Sequence, residues 1–333
     1  MSAFDKALIA VTAAFFAGML LAPFIISAAG RLKAGQSVLV YVHQHEKKEG
    51  TPTFGGLIFI FAATAVSAAF GVFSRELGRM LMLVFLGYGL IGFTDDFIKI
   101  KLRRNKGLSA WQKILFQLAA GGIAAWFAYK SDYVGSAIFL NFGLEPADLG
   151  AWYVPFAAVV FVAMSNAVNL TDGLDGLAGG TGTVYIAFFA LIAATMYASA
   201  AKLGDTLYAA ELESVLIAAA SLAGGLMAFL IFNAPKASVF MGDTGSLALG
   251  AFFAAIALFT KNPFIGAFIG ITYVVSCISV IIQVVSFKLR KKRVFLMAPL
   301  HHHLELKGMN ESKISAVYAI VTAVMGVVAL TVI

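Results

Sequence analysis

The residue types best suited to chemistry sit in five short polar stretches of an otherwise apolar chain. The central one is Asn166–Gly180, NAVNLTDGLDGLAGG, set between the apolar runs Ala151–Met164 and Val184–Met196. Its Asp172 and Asp175 stand three apart, so one helical turn would bring both carboxylates to one face. Its glycines would let the backbone approach a bulky anionic ligand. Asp and Gly are poor helix-interior residues, so the stretch is expected to interrupt the helices around it. A solvated turn explains the same composition. What favours a site is the company of the other four stretches.

In GFTDDFIKI, Asp95 and Asp96 end an apolar segment. Paired carboxylates are costly there unless they meet a cation or serve a function. Adjacent side chains diverge on a helix, so the pair need not share one metal. One could act as a base while the other orients a partner, and a hydrated helix end is the plainer explanation. The basic run that follows reads as membrane anchoring, except Lys113 of GLSAWQK, which falls in the first turn of the next helix. In FNAPKASVFMGDTGSL, Asp243 opens another helix, where free N–H groups favour phosphate. A carboxylate beside them would repel phosphate unless a divalent cation lay between. Mg²⁺ binds one or two carboxylates plus substrate phosphates, which makes Asp243 the candidate ligand; a helix N-cap is the alternative. His301, His302 and His303 are consecutive, which does not suit a zinc pair. Phosphate or sugar contacts, or proton transfer near neutral pH, suit them better. In KKEGTPTFGG, Lys48 beside a Gly/Thr/Pro turn could hold an anion, without the pattern of a P-loop.

The elements that must position these residues are apolar helices. Hydrophobic residues make up 61% of the 333 and charged residues 12%, against roughly 45–50% and 25% in globular domains. The expected fold is therefore an all-α polytopic membrane protein. Ten candidate spans lie near 7–29, 54–73, 78–99, 111–130, 151–170, 178–199, 213–232, 244–260, 264–287 and 313–333. The first is long enough to cross and reads as a retained span rather than a signal peptide. The whole chain, 1–333, reads as one transmembrane domain, with loops near 30–53, 100–110, 171–177, 233–243 and 288–312. Residues 131–150 form a further loop, with room for a short hairpin. A single cysteine, Cys277, leaves no disulfide framework. A net charge of +7 fits basic membrane-facing loops and anionic lipid, and implies no nucleic acid.

Loop alternation places most Lys and Arg on one side. Only Lys6, Arg75, Arg79, Lys130, Lys202 and Lys261 of the 24 fall on the other. The basic side is the cytoplasmic one, with both termini outside. Asp95, Asp96, Asp172, Asp175, Asp243 and all five histidines share that side, so the polar stretches are expected to form one composite site. Carboxylates for Mg²⁺, lysines for phosphates and a membrane setting together suit phosphoryl transfer to a lipidic co-substrate.

These stretches, spread over residues 47–308, resemble the motifs of the phospho-N-acetylmuramoyl-pentapeptide-transferase family. APLHHHLELKG resembles that branch in particular among polyprenyl-phosphate sugar-1-phosphate transferases. The resemblance implies that undecaprenyl phosphate attacks the β-phosphate of UDP-N-acetylmuramoyl-pentapeptide, giving lipid I and UMP. It also implies Mg²⁺, a homodimer and a bacterial inner-membrane location. Asp243 matches the Mg²⁺ ligand. Asp95 and Asp96 match the acidic pair, with Asp95 the candidate base. Lys48, Lys113, Asn169, Asp172, Asp175 and Asn233 match positions around the nucleotide and diphosphate, Phe240 a position near the uracil, and His301, His302 and His303 the cytoplasmic histidine motif. Phe54 stands where many members have Met. Direct displacement and a phospho-aspartyl route both need a carboxylate near the β-phosphate, so both stay open. A sibling UDP-N-acetylglucosamine transferase is the nearest alternative. A secondary transporter, which would place its carboxylates near mid-bilayer, is the alternative from another class.

Sidedness is directly measurable. Single cysteines introduced in 131–150 should react with an impermeant reagent from outside, and those in 288–313 only from inside. The reverse pattern would break the composite-site argument.

Overall fold

The computed structural model describes residues 1–32, 50–102 and 107–333. Twelve α-helices follow one another among them: α1 Ala3–Arg31, α2 Gly56–Ala69, α3 Glu76–Lys101, α4 Ala110–Lys130, α5 Tyr153–Thr171, α6 Leu177–Lys202, α7 Thr206–Asn233, α8 Gly242–Phe259, α9 Pro263–Ile269, α10 Ile271–Arg290, α11 Leu300–Leu306 and α12 Glu311–Leu330. Among the described residues, eight are long and apolar enough to cross a membrane. The protein is thus an all-α polytopic membrane protein. Each of the ten expected spans contains a helix. Gly56–Ala69 is shorter than a full crossing, and Ala110–Lys130 has the length but is less apolar.

Two boundaries depart from expectation for local reasons. The segment expected at 264–287 is interrupted at Gly270, after a short helix that starts on Pro263. Pro is tolerated there because a first-turn N–H has no helical partner to lose. α7 starts at Thr206 rather than near 213, because the Asp205 side chain accepts the Tyr208 N–H at 3.0 Å. The polar loop at 131–150 does hold a small hairpin, β1 Ala137–Ile138 paired antiparallel with β2 Ala147–Asp148.

Close helix approach explains why small residues recur. α1 turns Ala3, Ala7, Ala10, Ala14, Gly18 and Ala22 inward, at the three- and four-residue spacing of one helix face, and packs on α7. Lipid tails are as apolar as any side chain, so helices associate in membranes by fit rather than by hydrophobicity. α7 and α8 are the most enclosed helices. Their buried faces are mostly Ala, Leu and Ile, with the rings of Phe229, Phe252 and Phe253 fully enclosed among them. The tightest approach relevant to the polar stretches is α3 on α8. There Gly92 lies against the backbone of Asp243, and a Cβ at Gly92 would run into the Asp243 carbonyl. At the opposite end of α3, the buried Glu211 carboxylate accepts the Leu77 N–H at 2.8 Å. The start and finish of α3 are therefore both tied to α7 or α8.

Gly92→Ala should lower the thermal midpoint in detergent, since overpacking a filled contact costs about 1–3 kcal/mol. Gly87 faces open space, so Gly87→Ala should leave the midpoint unchanged or raise it slightly through helix propensity. Equal behaviour of the two variants would mean that the α3–α8 contact is not tight.

Candidate active site

Four helix ends and one loop meet at the polar stretches. α3 supplies Asp95, Asp96 and Lys99 from its last turns. α4 supplies Lys113 from its first turn, α5 supplies Asn169 near its end, and α8 supplies Asp243 and Thr244 from its start. Helix ends suit this role because their backbone groups and dipoles are unsatisfied and face outward. Asp95 and Asp96 are nonetheless buried. Lys99 Nζ lies 2.6 Å from Asp95 Oδ2, 3.5 Å from Asp96 Oδ1 and 3.1 Å from Asp243 Oδ2. Lys113 Nζ lies 3.3 Å from Asp95 Oδ1 and 2.6 Å from Asp243 Oδ2. Two ammonium groups thus hold three carboxylates from two helices.

Neutral donors complete the shell. Asn169 Nδ2 donates to Asp243 Oδ1 at 2.8 Å, and the Leu108 N–H donates to Asp95 Oδ1 at 2.8 Å. Asp96 Oδ2 accepts the N–H and the hydroxyl of Thr244 at 2.9 and 2.7 Å. Asp243 is not the N-cap of α8: that position is Met241, without a side-chain cap, and Asp243 sits inside the first turn. Gly242 before it has φ 74°, and a Cβ there would meet Thr53 Oγ1 and Asp96 Oδ2. Only glycine takes that backbone freely, which is the physical content of the Gly-Asp pair at this helix start.

The divergence expected of Asp95 and Asp96 is only partial. One oxygen from each of Asp95, Asp96 and Asp243 falls within 4.8 Å of the others. Ligand oxygens of an octahedral Mg²⁺ stand roughly 2.9–4.2 Å apart, so small side-chain rotations bring the three onto one cation. Three carboxylates against two lysines also leave one negative charge in excess. The donor set therefore fits a divalent oxygen-seeking ion.

The second part of the site is the loop between α5 and α6. Asp172 and Asp175 are not on a helical turn. They lie in a sharp loop whose Gly176 has φ 72°. Asp175 is buried, and its Oδ2 accepts the Ala237 N–H at 3.1 Å. Asn233 braces the same loop, its Oδ1 accepting the Gly176 N–H at 3.0 Å and its Nδ2 donating to the Val239 carbonyl at 2.9 Å. Asp172 keeps some exposed surface. Burial, then the charges of Asp243, Asp96 and Asp175, push its carboxyl up to about 8. Phe240 is half-buried. Its main chain pairs with Pro52 and Gly55, each at 2.8 Å, which ties the chain after the Lys48 stretch to the start of α8. Lys48 itself, with His43 and His45, lies outside the described residues.

The three histidines separate. A Cβ at Gly173 would come 2.5 Å from His301 Nε2 and 3.1 Å from His302 Nε2, so both rings aim at the Asp172 corner. His301 is fully buried, and burial followed by the neighbouring His302 pushes it down to about 3. Neither of its ring nitrogens has a hydrogen-bond partner among the described residues. A neutral imidazole has one donor and one acceptor to place. His302 Nδ1 lies 3.0 Å from Glu305 Oε2. His303 is turned to its own loop, its Nδ1 accepting the Leu296 N–H at 3.1 Å.

Lys99, Thr244 and Glu305 were missed as site residues in the sequence. Lys99 was legible, because it stands three and four residues after the acidic pair, the spacing of helical ion pairs. Thr244 and Glu305 needed the tertiary contacts.

The raised Asp172 carboxyl has a measurable sign. The folded state keeps its proton at a pH where the unfolded chain has lost it, so this group's contribution to stability falls as pH rises from about 4 to about 8. With chelator present, the thermal midpoint of the wild type should drop more over that range than that of Asp172→Asn. Parallel curves would remove the shift.

Comparison with known proteins adds identity to this geometry. Residues 78–261 match the family described as Glycosyl transferase family 4. The chain is 45% identical over 318 residues to a phospho-N-acetylmuramoyl-pentapeptide-transferase of Caldanaerobacter subterraneus subsp. tengcongensis, covering 95% of this chain and 94% of the relative. It is 41% identical over 321 residues to the one from Clostridium kluyveri, covering 96% and 97%. With the one from Thermoanaerobacter sp. strain X514 it shares 43% over 321 residues, 96% of each. At 41–45% identity over nearly the full length of both chains, the chain belongs to the phospho-N-acetylmuramoyl-pentapeptide-transferase family.

Proposed function

We propose that this protein transfers phospho-N-acetylmuramoyl-pentapeptide from UDP-N-acetylmuramoyl-pentapeptide to undecaprenyl phosphate at the cytoplasmic face of a bacterial inner membrane. A lipid phosphate oxygen bonds to the β-phosphorus, and the bond from that phosphorus to the oxygen bridging it to the α-phosphate breaks. UMP leaves, and undecaprenyl-pyrophosphoryl-N-acetylmuramoyl-pentapeptide, lipid I, remains in the membrane. The observation that carries this reading is the meeting of Asp95, Asp96 and Asp243 with Lys99 and Lys113 at the ends of apolar helices. A homodimer is the assembly that the resemblance implies.

The residues divide the work by charge and position. Asp243, with Asp96 beside it, would hold Mg²⁺, which when bound neutralises charge on the diphosphate. Lys99 and Lys113 keep positive charge beside the reacting phosphates. Positioning and neutralisation of this kind supply most of the catalysis in phosphoryl transfer. Asp95, held between the two lysines, is the candidate base toward the lipid phosphate. Asp96, tied to Thr244 at the start of α8, positions. By the resemblance, Lys48, Asn169, Asp172, Asp175, Asn233 and Phe240 belong to the nucleotide and diphosphate region, Asp175 and Asn233 by bracing its loop, with His301 and His302 facing the same corner as Asp172. His303 acts through its loop.

The test is UMP release by purified protein in detergent, given undecaprenyl phosphate and either UDP-N-acetylmuramoyl-pentapeptide or UDP-N-acetylglucosamine. Turnover with the first and not the second is expected. The opposite preference would reassign the chain to the sibling activity. Asp243→Asn should lose at least about a hundredfold in kcat, the loss of several kcal/mol of charge stabilisation. A lipid phosphate with its second pKa near 6 is already mostly dianionic at pH 7. Asp95→Asn should therefore lose activity steeply below pH 7 and regain part of it at about pH 9, while Asp96→Asn stays impaired throughout. Flat, equal profiles would withdraw the base role.

A further inference from the structure

We infer that the C-terminal end of α10 is a binding site for anionic glycerophospholipid headgroups, built by a fixed reverse turn that gathers Lys288 and Arg290–Arg293. Five of the six residues from Lys288 to Arg293 are basic, and no Asp or Glu occurs between Asp243 and Glu305. All five basic residues are exposed. The apolar wall beneath them is exposed as well: Val285, Phe287 and Leu289 are 47%, 51% and 78% accessible.

Charge alone would not need a shaped turn, but a shaped turn is present. α10 stops at Lys291, whose φ of 55° reverses the chain. Gln283 Oε1 then accepts the N–H groups of Val294 and Phe295, both at 3.0 Å, and its Nε2 donates to the Phe295 carbonyl at 3.1 Å. Ser286 Oγ donates to the Lys292 carbonyl at 2.9 Å. The chain is thereby folded back along the last turns of the helix, and the basic side chains crowd around one helix end instead of trailing away. Lys291 Nζ lies over the Phe287 ring, 5.9 Å from its centre, so a cation sits directly against the exposed apolar wall. A cation cluster at the end of an apolar span, with hydrophobic side chains just below, matches a phosphodiester at headgroup level above acyl chains. Nucleic acid and soluble anions would meet the charges and leave the apolar wall uncovered.

The experiment uses the full chain. Delipidated protein in maltoside micelles is mixed with phosphatidylglycerol, phosphatidylcholine or polyprenyl phosphate and repurified, and bound phosphorus is counted at low and high salt. The wild type should retain phosphatidylglycerol in preference to phosphatidylcholine and lose that preference at high salt. Replacing Lys288, Arg290, Lys291 and Lys292 together by Gln should weaken retention by about tenfold or more, with an unchanged thermal midpoint in detergent. Gln283→Leu keeps every charge but releases the turn, and should lose a large part of the preference. Undiminished phosphatidylglycerol retention by the four-Gln variant would overturn the site. Full retention by Gln283→Leu would overturn the role of the turn. Preference for polyprenyl phosphate over phosphatidylglycerol would overturn the phospholipid assignment in favour of the co-substrate.

Discussion

Everything at the active site depends on bringing buried negative charge from two helices to one place and compensating it there. Asp95 and Asp96 on α3 and Asp243 on α8 would repel one another strongly at this depth. Lys99 and Lys113 hold them, and Asn169 and Thr244 fill remaining lone pairs. A buried ion pair of this sort is poor evidence for stability, because desolvation offsets much of the attraction, whereas removing one partner typically costs about 3–5 kcal/mol. The cluster is better understood as stored charge, of the kind a divalent oxygen-seeking cation could complete.

That arrangement constrains the backbone around it. α3 and α8 approach until Gly92 touches the Asp243 backbone, and Gly242 takes a left-handed conformation beside Asp96. Larger residues at either point would push Asp243 away from the acidic pair. The fixed start of α3 at Glu211 serves the same end at longer range, because a helix that slips by one turn moves its far end by about 5.4 Å.

A second constraint joins the histidine motif to the Asp172 loop. Asn233 and Asp175 hold that loop through backbone amides, and Gly173 admits His301 and His302 against it. Burial keeps His301 neutral, so it offers one donor and one acceptor rather than a charge. The three consecutive histidines thus have three environments, although the sequence presents them as equals.

Helices and their approximate ends were legible in the sequence because apolar length is a strong signal in a membrane protein. The shared side of the carboxylates was legible because alternation of the apolar spans brings all of them to the same end of the helices. Lys113 stood out by its place in a first turn, and Lys99 was readable by its spacing from Asp95 and Asp96. Tertiary structure alone decided the rest. Asp95 and Asp96 converge on Asp243 because α3 and α8 cross at Gly92, a contact 151 residues apart in sequence. Asn233 spends both ends of its amide on backbone, and Thr244 rather than solvent satisfies Asp96. Local periodicity carries information over a few turns of helix, whereas the pairing of helix ends is fixed by the fit of small residues between helices distant in the chain.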